Sequence, residues 1–185
     1  EAQALDSLGK AYISLRDYQK AEAVLLQALS IAKEIEDLDI ESSALSSLNT
    51  IYTQRGDFKK EIEIQLRRLE IARKQKDKWT EFRALILLGS AYDNIGNHQK
   101  ALEAYQQSLA ILRQIEISKL PPFQQKGIGI FEVFILQGIS FTYRDLGEYN
   151  KALDFAQQTL KKAQSINQPE SEIQALLHLA DLYDG

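Results

Sequence analysis

The residue types that carry most enzyme chemistry are scarce in this chain. Only two histidines, His98 and His178, occur in 185 residues, and neither stands at a metal-ligand spacing from another donor. There is no cysteine, which excludes disulfides and thiolate chemistry. Gly127-Ile128-Gly129 is not a dinucleotide loop, because no strand precedes it and no third glycine comes after it. A Gly-Lys-Ser/Thr phosphate loop is absent from the sequence. The 26 Asp and Glu residues suit the solvated faces of an acidic helical protein, and no pair stands out for general acid–base work. The expectation is a chain that is not an enzyme and that holds no metal or cofactor.

What remains is binding, and composition narrows its kind. A formal net charge of -4 argues against a nucleic-acid phosphate backbone as ligand. No apolar run approaches the roughly 18 residues of a membrane span, and no signal-peptide pattern opens the chain, so a cytoplasmic location is expected. Hydrophobic residues at 44% and charged residues at 26% are ordinary for a folded domain. Three prolines favour long uninterrupted helices. With no methionine, a start at Glu1 and a stop at Asp184-Gly185 inside helical patterns, the sequence reads as a fragment of a longer chain.

The elements that must carry a binding surface emerge from internal repetition. Leu8-Gly9-Lys10-Ala11-Tyr12 returns forty residues on as Leu48-Asn49-Thr50-Ile51-Tyr52, and forty further on as Leu88-Gly89-Ser90-Ala91-Tyr92. A step of fifty-one reaches Ile139-Ser140-Phe141-Thr142-Tyr143, and a last forty reaches Leu179-Ala180-Asp181-Leu182-Tyr183. Turn signals succeed four of these, at Arg16-Asp17, Gly56-Asp57, Gly96-Asn97 and Gly147-Glu148. Amphipathic stretches such as Gln19-Lys20-Ala21 and Gln99-Lys100-Ala101 come next.

Packing gives the pattern its meaning. Leu5, Leu8 and Tyr12 are three and four apart and share a helix face, and Gly9 beside them lets a second helix approach. Gly56, Gly96 and Gly147 supply the left-handed conformation that ends one helix before the next begins. Ala21, Ala101 and Ala152 are small where the second helix crosses the first. Each pair buries one face only, so stacking completes the core. Helices are expected at about 2–15, 18–36, 40–55, 58–76, 79–95, 98–117, 128–146, 149–166 and 170–184.

Leu88-Gly89 with Tyr92, Ala101 and Tyr105 resembles the tetratricopeptide repeat. The forty-residue period, longer than the family's usual unit, is similar to the long-repeat subclass found in kinesin light chains and bacterial signalling proteins. The resemblance implies an all-α, right-handed α-solenoid of antiparallel helix pairs. It implies one array over residues 1–185, with repeats at about 2–38, 40–78, 79–117 and 128–168, a further first helix at 170–184, and an insert at 117–127.

Two departures stand out. In repeat two, Asn49 replaces the close-packing glycine, Glu61 the crossing alanine, and Arg68 stands where repeat one has Ala28. Glu61, Gln65 and Arg68 share a face, and a Glu–Arg contact through the helix or to a neighbour is expected. The eleven extra residues lie in 117–127, where Pro121-Pro122 interrupts any arriving helix. The stretch after Pro122 either extends the next helix or forms a loop.

The resemblance further implies that the first helix of each pair lines a concave groove. Its groove positions are Gln3, Asp6, Lys10 and Ile13, then Ser43, Ser46, Thr50 and Thr53, then Arg83, Ile86, Ser90 and Asp93. Phe134, Gln137, Phe141 and Arg144 come after these, then Gln174, Leu177 and Asp181. The early positions are small and polar, while Ile86, Phe134, Phe141 and Leu177 are apolar. Apolar anchors flanked by polar groups suit a protein or peptide partner. The expected site is Arg83, Ile86, Ser90, Phe134, Gln137, Phe141, Arg144 and Leu177, unless the insert or another helix covers the phenylalanines. A chaperone-tail clamp needs lysines and asparagines where this chain has Asp6, Lys10, Thr50, Arg83 and Leu87, and only part of that cationic set is present. Three functions stay open: a scaffold within a larger signalling protein, a peptide-sensing regulatory domain, and a substrate-recruiting region of an enzyme whose catalytic domain lies elsewhere.

Overall fold

The computed structural model describes residues 1–184, except the side chains of Phe123, Lys126 and Asp184. The parts of the sequence reading that fall on those side chains and on Gly185 lie outside the described residues. The chain folds into α1 (Ala2–Ser14), α2 (Tyr18–Glu34), α3 (Leu38–Arg55), α4 (Phe58–Gln75), α5 (Lys78–Asn94), α6 (His98–Gln114), α7 (Pro122–Asp145), α8 (Tyr149–Ser165) and α9 (Pro169–Asp184), with a 3-10 turn at Ile117–Lys119. Two compact units divide it, residues 1–80 and 81–185.

The turns obey the repeat. Asp17, Asp57 and Asn97 are N-caps whose side chains accept the backbone N–H of Lys20, Lys60 and Lys100, which satisfies donors that the first helical turn leaves open. Gly56, Gly96 and Gly147 have φ of +68°, +76° and +76°, the left-handed state that glycine adopts without a Cβ penalty.

In the first unit, Ala21 and Leu25 of α2 pack with Leu45, Leu48, Ile51 and Tyr52 of α3. Gly9 of α1 is where Leu25 enters; a Cβ there would lie 2.4 Å from Leu25 Cγ. Leu8 departs from expectation. It is 42% exposed where Leu48, at the same repeat position, is 1% exposed. Leu48 is covered by α2, whereas the matching side of α1 carries no helix among the described residues. Repeat two keeps its polar face buried. Glu61, Gln65 and Arg68 are all buried, and the Arg68 guanidinium donates to Gln65 Oε1 at 3.1 Å. The Glu61 carboxyl bonds Thr53, and burial pushes its pKa above the usual carboxylate value.

In the second unit, α7 starts at Pro122, six residues earlier than the expected 128. Proline fits the first turn because its missing N–H has no helical acceptor there. The N–H groups of Gln124 and Gln125 close that turn on the Pro121 carbonyl. Most of the insert is therefore helix. Tyr105 of α6 wedges between two glycines: a Cβ at Gly89 would sit 2.6 Å from its Cε1, and one at Gly138 2.6 Å from its Cζ.

One contact recurs in every complete pair. The third residue of each second helix is a lysine whose ammonium lies over the tyrosine ring of its own first helix. Lys20 is 5.7 Å from the Tyr12 centroid, Lys60 4.6 Å from Tyr52, Lys100 5.5 Å from Tyr92 and Lys151 5.1 Å from Tyr143. All four fall within cation–π range.

Candidate functional site

The second unit holds all eight residues of the expected site. Phe134, Gln137, Phe141 and Arg144 recur at spacings of three and four along α7, which aligns them on one face. Phe134 is 56% exposed, so neither the insert nor a helix among the described residues covers it. Gln137 is half-buried. Phe141 is half-buried too, its ring centroid 4.0 Å from that of His178 on α9. The Arg144 guanidinium lies 5.1 Å from the Phe141 centroid and bonds Asp145 Oδ1 through Nε and Nη2. Leu177 of α9 is 63% exposed.

The α5 residues behave differently. Arg83 is exposed and sits 5.9 Å over the ring of Phe131 rather than Phe134. Phe131 meets Phe82 edge-on at 5.4 Å, a pairing that the repeat pattern did not flag. Ile86 is half-buried. Ser90 is exposed, and its side chain lies beside the phenol of Tyr105.

Two polar arrangements here resemble catalytic pairs, and geometry rules out that role for both. Ser140 Oγ lies 2.9 Å from His178 Nε2, but the serine hydroxyl donates to the Ala152 carbonyl at 2.7 Å. The imidazole must then donate through Nε2–H, so it cannot take the serine proton, and Ser140 is wholly buried. Thr142 Oγ1 meets Asp93 Oδ2 at 2.7 Å, and His98 Nδ1 meets Asp93 Oδ1 at 3.1 Å. The Thr142 hydroxyl donates to that carboxylate and lies 2.8 Å from the Gly138 carbonyl, but it is wholly buried, so no substrate reaches it. Burial raises the Asp93 pKa. His98, at the repeat position of Tyr18, Phe58 and Tyr149, has this carboxylate as its partner. No group of three or more potential metal donors occurs among the described residues.

His178 carries a pH prediction. Burial and the Arg144 charge hold its pKa below the ordinary 6.5, against smaller opposing effects of Asp181 and Asp145. Its Nδ1 is buried without a partner, so a proton added there would be an orphan donor. The folded state binds fewer protons than the unfolded one. Stability from this site is complete above pH 6.5 and falls as pH drops through that value. Thermal melts should therefore show a smaller loss between pH 7.5 and 5.5 for His178→Gln than for the parent chain. Equal losses would remove His178 from the acid response.

In the first unit a cleft of about 610 Å³ is lined by Lys10, Ile13 and Ser14 of α1, Ser42, Ser43, Ser46 and Thr50 of α3, and Gln75 of α4. Lys10 Nζ pairs with Asp6 at 2.7 Å and donates to Ser43 at 2.8 Å. Asp6, expected at the groove surface, is buried. This cleft keeps the small, polar character expected of the early repeats.

Profiles of the tetratricopeptide repeat match residues 1–74, 82–114 and 135–171. The chain belongs to the tetratricopeptide-repeat family. No curated protein matches it at significant similarity. Among solved structures it is similar to a signal-transduction ATPase with numerous domains, carrying a tetratricopeptide-repeat sensor, from Pyrococcus horikoshii. That match has a TM-score of 0.83 at 22% identity and covers 98% of this chain and 27% of that one. RapI in its apo form matches with a TM-score of 0.77 at 16% identity, over 94% of this chain and 60% of that one. A Rap protein complexed with Competence and Sporulation Factor matches at 0.70 and 16% identity, over 99% and 51%. The tetratricopeptide chain thus spans between about a quarter and three-fifths of these proteins' lengths. At these identities the likeness establishes the fold, an all-α tetratricopeptide-repeat solenoid.

Proposed function

We propose that this tetratricopeptide-repeat chain is a non-catalytic scaffold, one array over residues 1–185, that holds a protein or peptide segment in its concave groove as part of a larger bacterial-type signalling protein in the cytoplasm. The exposed ring of Phe134 carries the reading. A large apolar side chain open to solvent, beside Phe141 and with Leu177 also exposed, is the kind of anchor a partner desolvates. Arg144 and Arg83 would pair with acidic groups on the partner, acting mainly on association rate. Two of the similar structures support the class: one tetratricopeptide array is a sensor, and a Rap protein is complexed with Competence and Sporulation Factor. The same two favour peptide sensing as the second reading.

The test is a partner captured with this chain as bait, then titrated against variants. Phe134→Ala should weaken binding at least tenfold, about 1.4 kcal/mol, with the melting temperature unchanged because the ring is exposed. Phe141→Ala should weaken it comparably with some loss of stability, since that ring also packs on His178. Ser46→Ala, in the polar cleft of the first unit, should change little. Unaltered binding by a folded Phe134→Ala variant would retire the site.

A further inference from the structure

We propose that a cleft between α6, α7 and α8 binds a phosphate monoester carried on an apolar body. The cleft has a volume of about 340 Å³, and its walls include Arg113 of α6, Glu132 and Leu136 of α7, and Gln158, Lys161 and Lys162 of α8. Glu132 and Leu136 each stand two residues from Phe134, about 200° around the helix. The cleft therefore opens on the opposite side of α7 from the expected groove, and the site is separate from the one proposed for a protein partner.

The repeat supplies a reference for the charge of this cleft. The first unit has a cleft of about 570 Å³ at the same place in its repeats, with Lys33 of α2, Glu36 of the turn, Glu41 of α3, and Arg67 and Lys74 of α4 in its walls. Lys33 and Arg113 are counterparts eighty residues apart, as Tyr12 and Tyr92 are. Glu41 and Glu132 are counterparts ninety-one apart, as Tyr52 and Tyr143 are. In both clefts that glutamate is held by a cation of its own pair's second helix, Arg67 at 2.7 Å in the first unit and Lys162 in the second. The difference lies beside it. Arg67 also pairs with Glu70 at 2.7 Å, and the residue ninety-one positions on from Glu70 is Lys161. Glu116, the counterpart of Glu36, is taken by Lys119 at 2.8 Å. The first cleft thus sets Lys33, Arg67 and Lys74 beside Glu36, Glu41 and Glu70, while the second sets Arg113, Lys161 and Lys162 beside Glu132. Lys162 uses up that one carboxylate. Arg113 and Lys161 are exposed and make no ion pair among the described residues.

Two uncompensated cations suit a phosphate monoester, which carries about -1.5 to -2 charges at pH 7, better than a single carboxylate. A guanidinium fork matches phosphate oxygens in two parallel bonds, and an ammonium adds a compact point charge. Gln158 gives one N–H to Asp154 at 3.0 Å and keeps a second amide hydrogen for a ligand. Between the charges the wall is Leu136, 3% exposed, with the methylene stems of the arginine and lysines. The body that bears the phosphate is therefore apolar. The volume lies at the small end of ligand sites, roughly 300–1,000 Å³, which suits a single ring rather than a nucleotide.

The probe is phenyl phosphate, titrated into the whole chain and followed by the amide NMR shifts of α6 and α8. Saturable binding is expected, weakened by added salt. Lys161→Glu, which restores the charge found in the first unit, and Arg113→Gln should each weaken it at least tenfold. Both variants should keep their melting temperature, since both side chains are exposed. Lys74→Gln, in the cleft of the first unit, should leave binding unchanged. A glycine-flanked phosphotyrosine tripeptide separates the sources of the phosphate. Binding at least as tight as phenyl phosphate supports the proposal with a phosphorylated side chain as ligand, and weaker binding supports it with a small molecule. Benzoate binding as tightly as phenyl phosphate would overturn the match to a phosphate. No saturation, or saturation indifferent to Lys161→Glu, would overturn the site itself.

Discussion

Ala101→Glu should lower the melting temperature of the second unit sharply, while Gln107→Glu leaves it nearly unchanged. Ala101 is wholly buried at the position where the second helix of the pair crosses the first, and Gln107 lies exposed on the same helix. A glutamate at 101 adds a methylene and a carboxyl to a site with no room and no partner. Overpacking and the burial of an unpaired polar group together cost roughly 2–5 kcal/mol. A solvated substitution costs under about 0.5 kcal/mol. Repeat two shows how the fold accommodates a carboxyl at this position: Glu61 bonds Thr53 and its pKa is raised. Repeat three has Asp93 where repeat two has Thr53, a like charge rather than a donor, so the same rescue is not open to residue 101. Equal melting temperatures for the two variants would show that the register assigned to α6 is wrong.

The period made the helices and their turns legible, because each repeat restates the same packing problem. Leu48, Tyr52, Ala21 and the left-handed glycines can all be placed from the period alone. Leu8 cannot, since periodicity assigns a residue to a face without saying whether a neighbour covers that face. The start of α7 is ambiguous in the sequence for a different reason. Pro121-Pro122 reads as a break, and it is one for the helix arriving, yet the second proline opens the helix beyond it. On the candidate site, the spacing of Phe134 and Phe141 was readable and their unequal exposure was not. That inequality comes from His178, a residue forty-four positions from Phe134 in sequence whose ring backs Phe141 alone. The same spacing places Ser90 in the groove but gives no sign that Tyr105 wedges between Gly89 and Gly138, a packing feature that no single repeat displays.

That feature sets the second large effect, and it reverses sign with background. Gly138→Ala should destabilise the parent chain yet stabilise a Tyr105→Leu variant. In an exposed helix the change gains about 0.8–1.0 kcal/mol from propensity. Here the added Cβ would fall 2.6 Å from Tyr105 Cζ, 2.9 Å from Cε1 and 3.0 Å from Cε2. The ring cannot retreat the other way, because Gly89 holds its Cε1 and Cδ1 edge as closely from α5. Overpacking of a confined ring costs typically about 1–3 kcal/mol, so the clash outweighs the propensity gain. Leucine at 105 ends before the atoms that collide, which leaves a gap that the new methyl fills and lets the propensity gain show. Tyr105→Leu alone should itself lower stability, since it removes a large buried ring from between two helices. A double-mutant cycle by thermal melts measures the coupling directly, and its expected value is about 1 kcal/mol or more, favouring the pair. Additive effects, or a stabilising Gly138→Ala in the parent chain, would mean that Tyr105 is free to move and that the close approach of α7 does not depend on glycine.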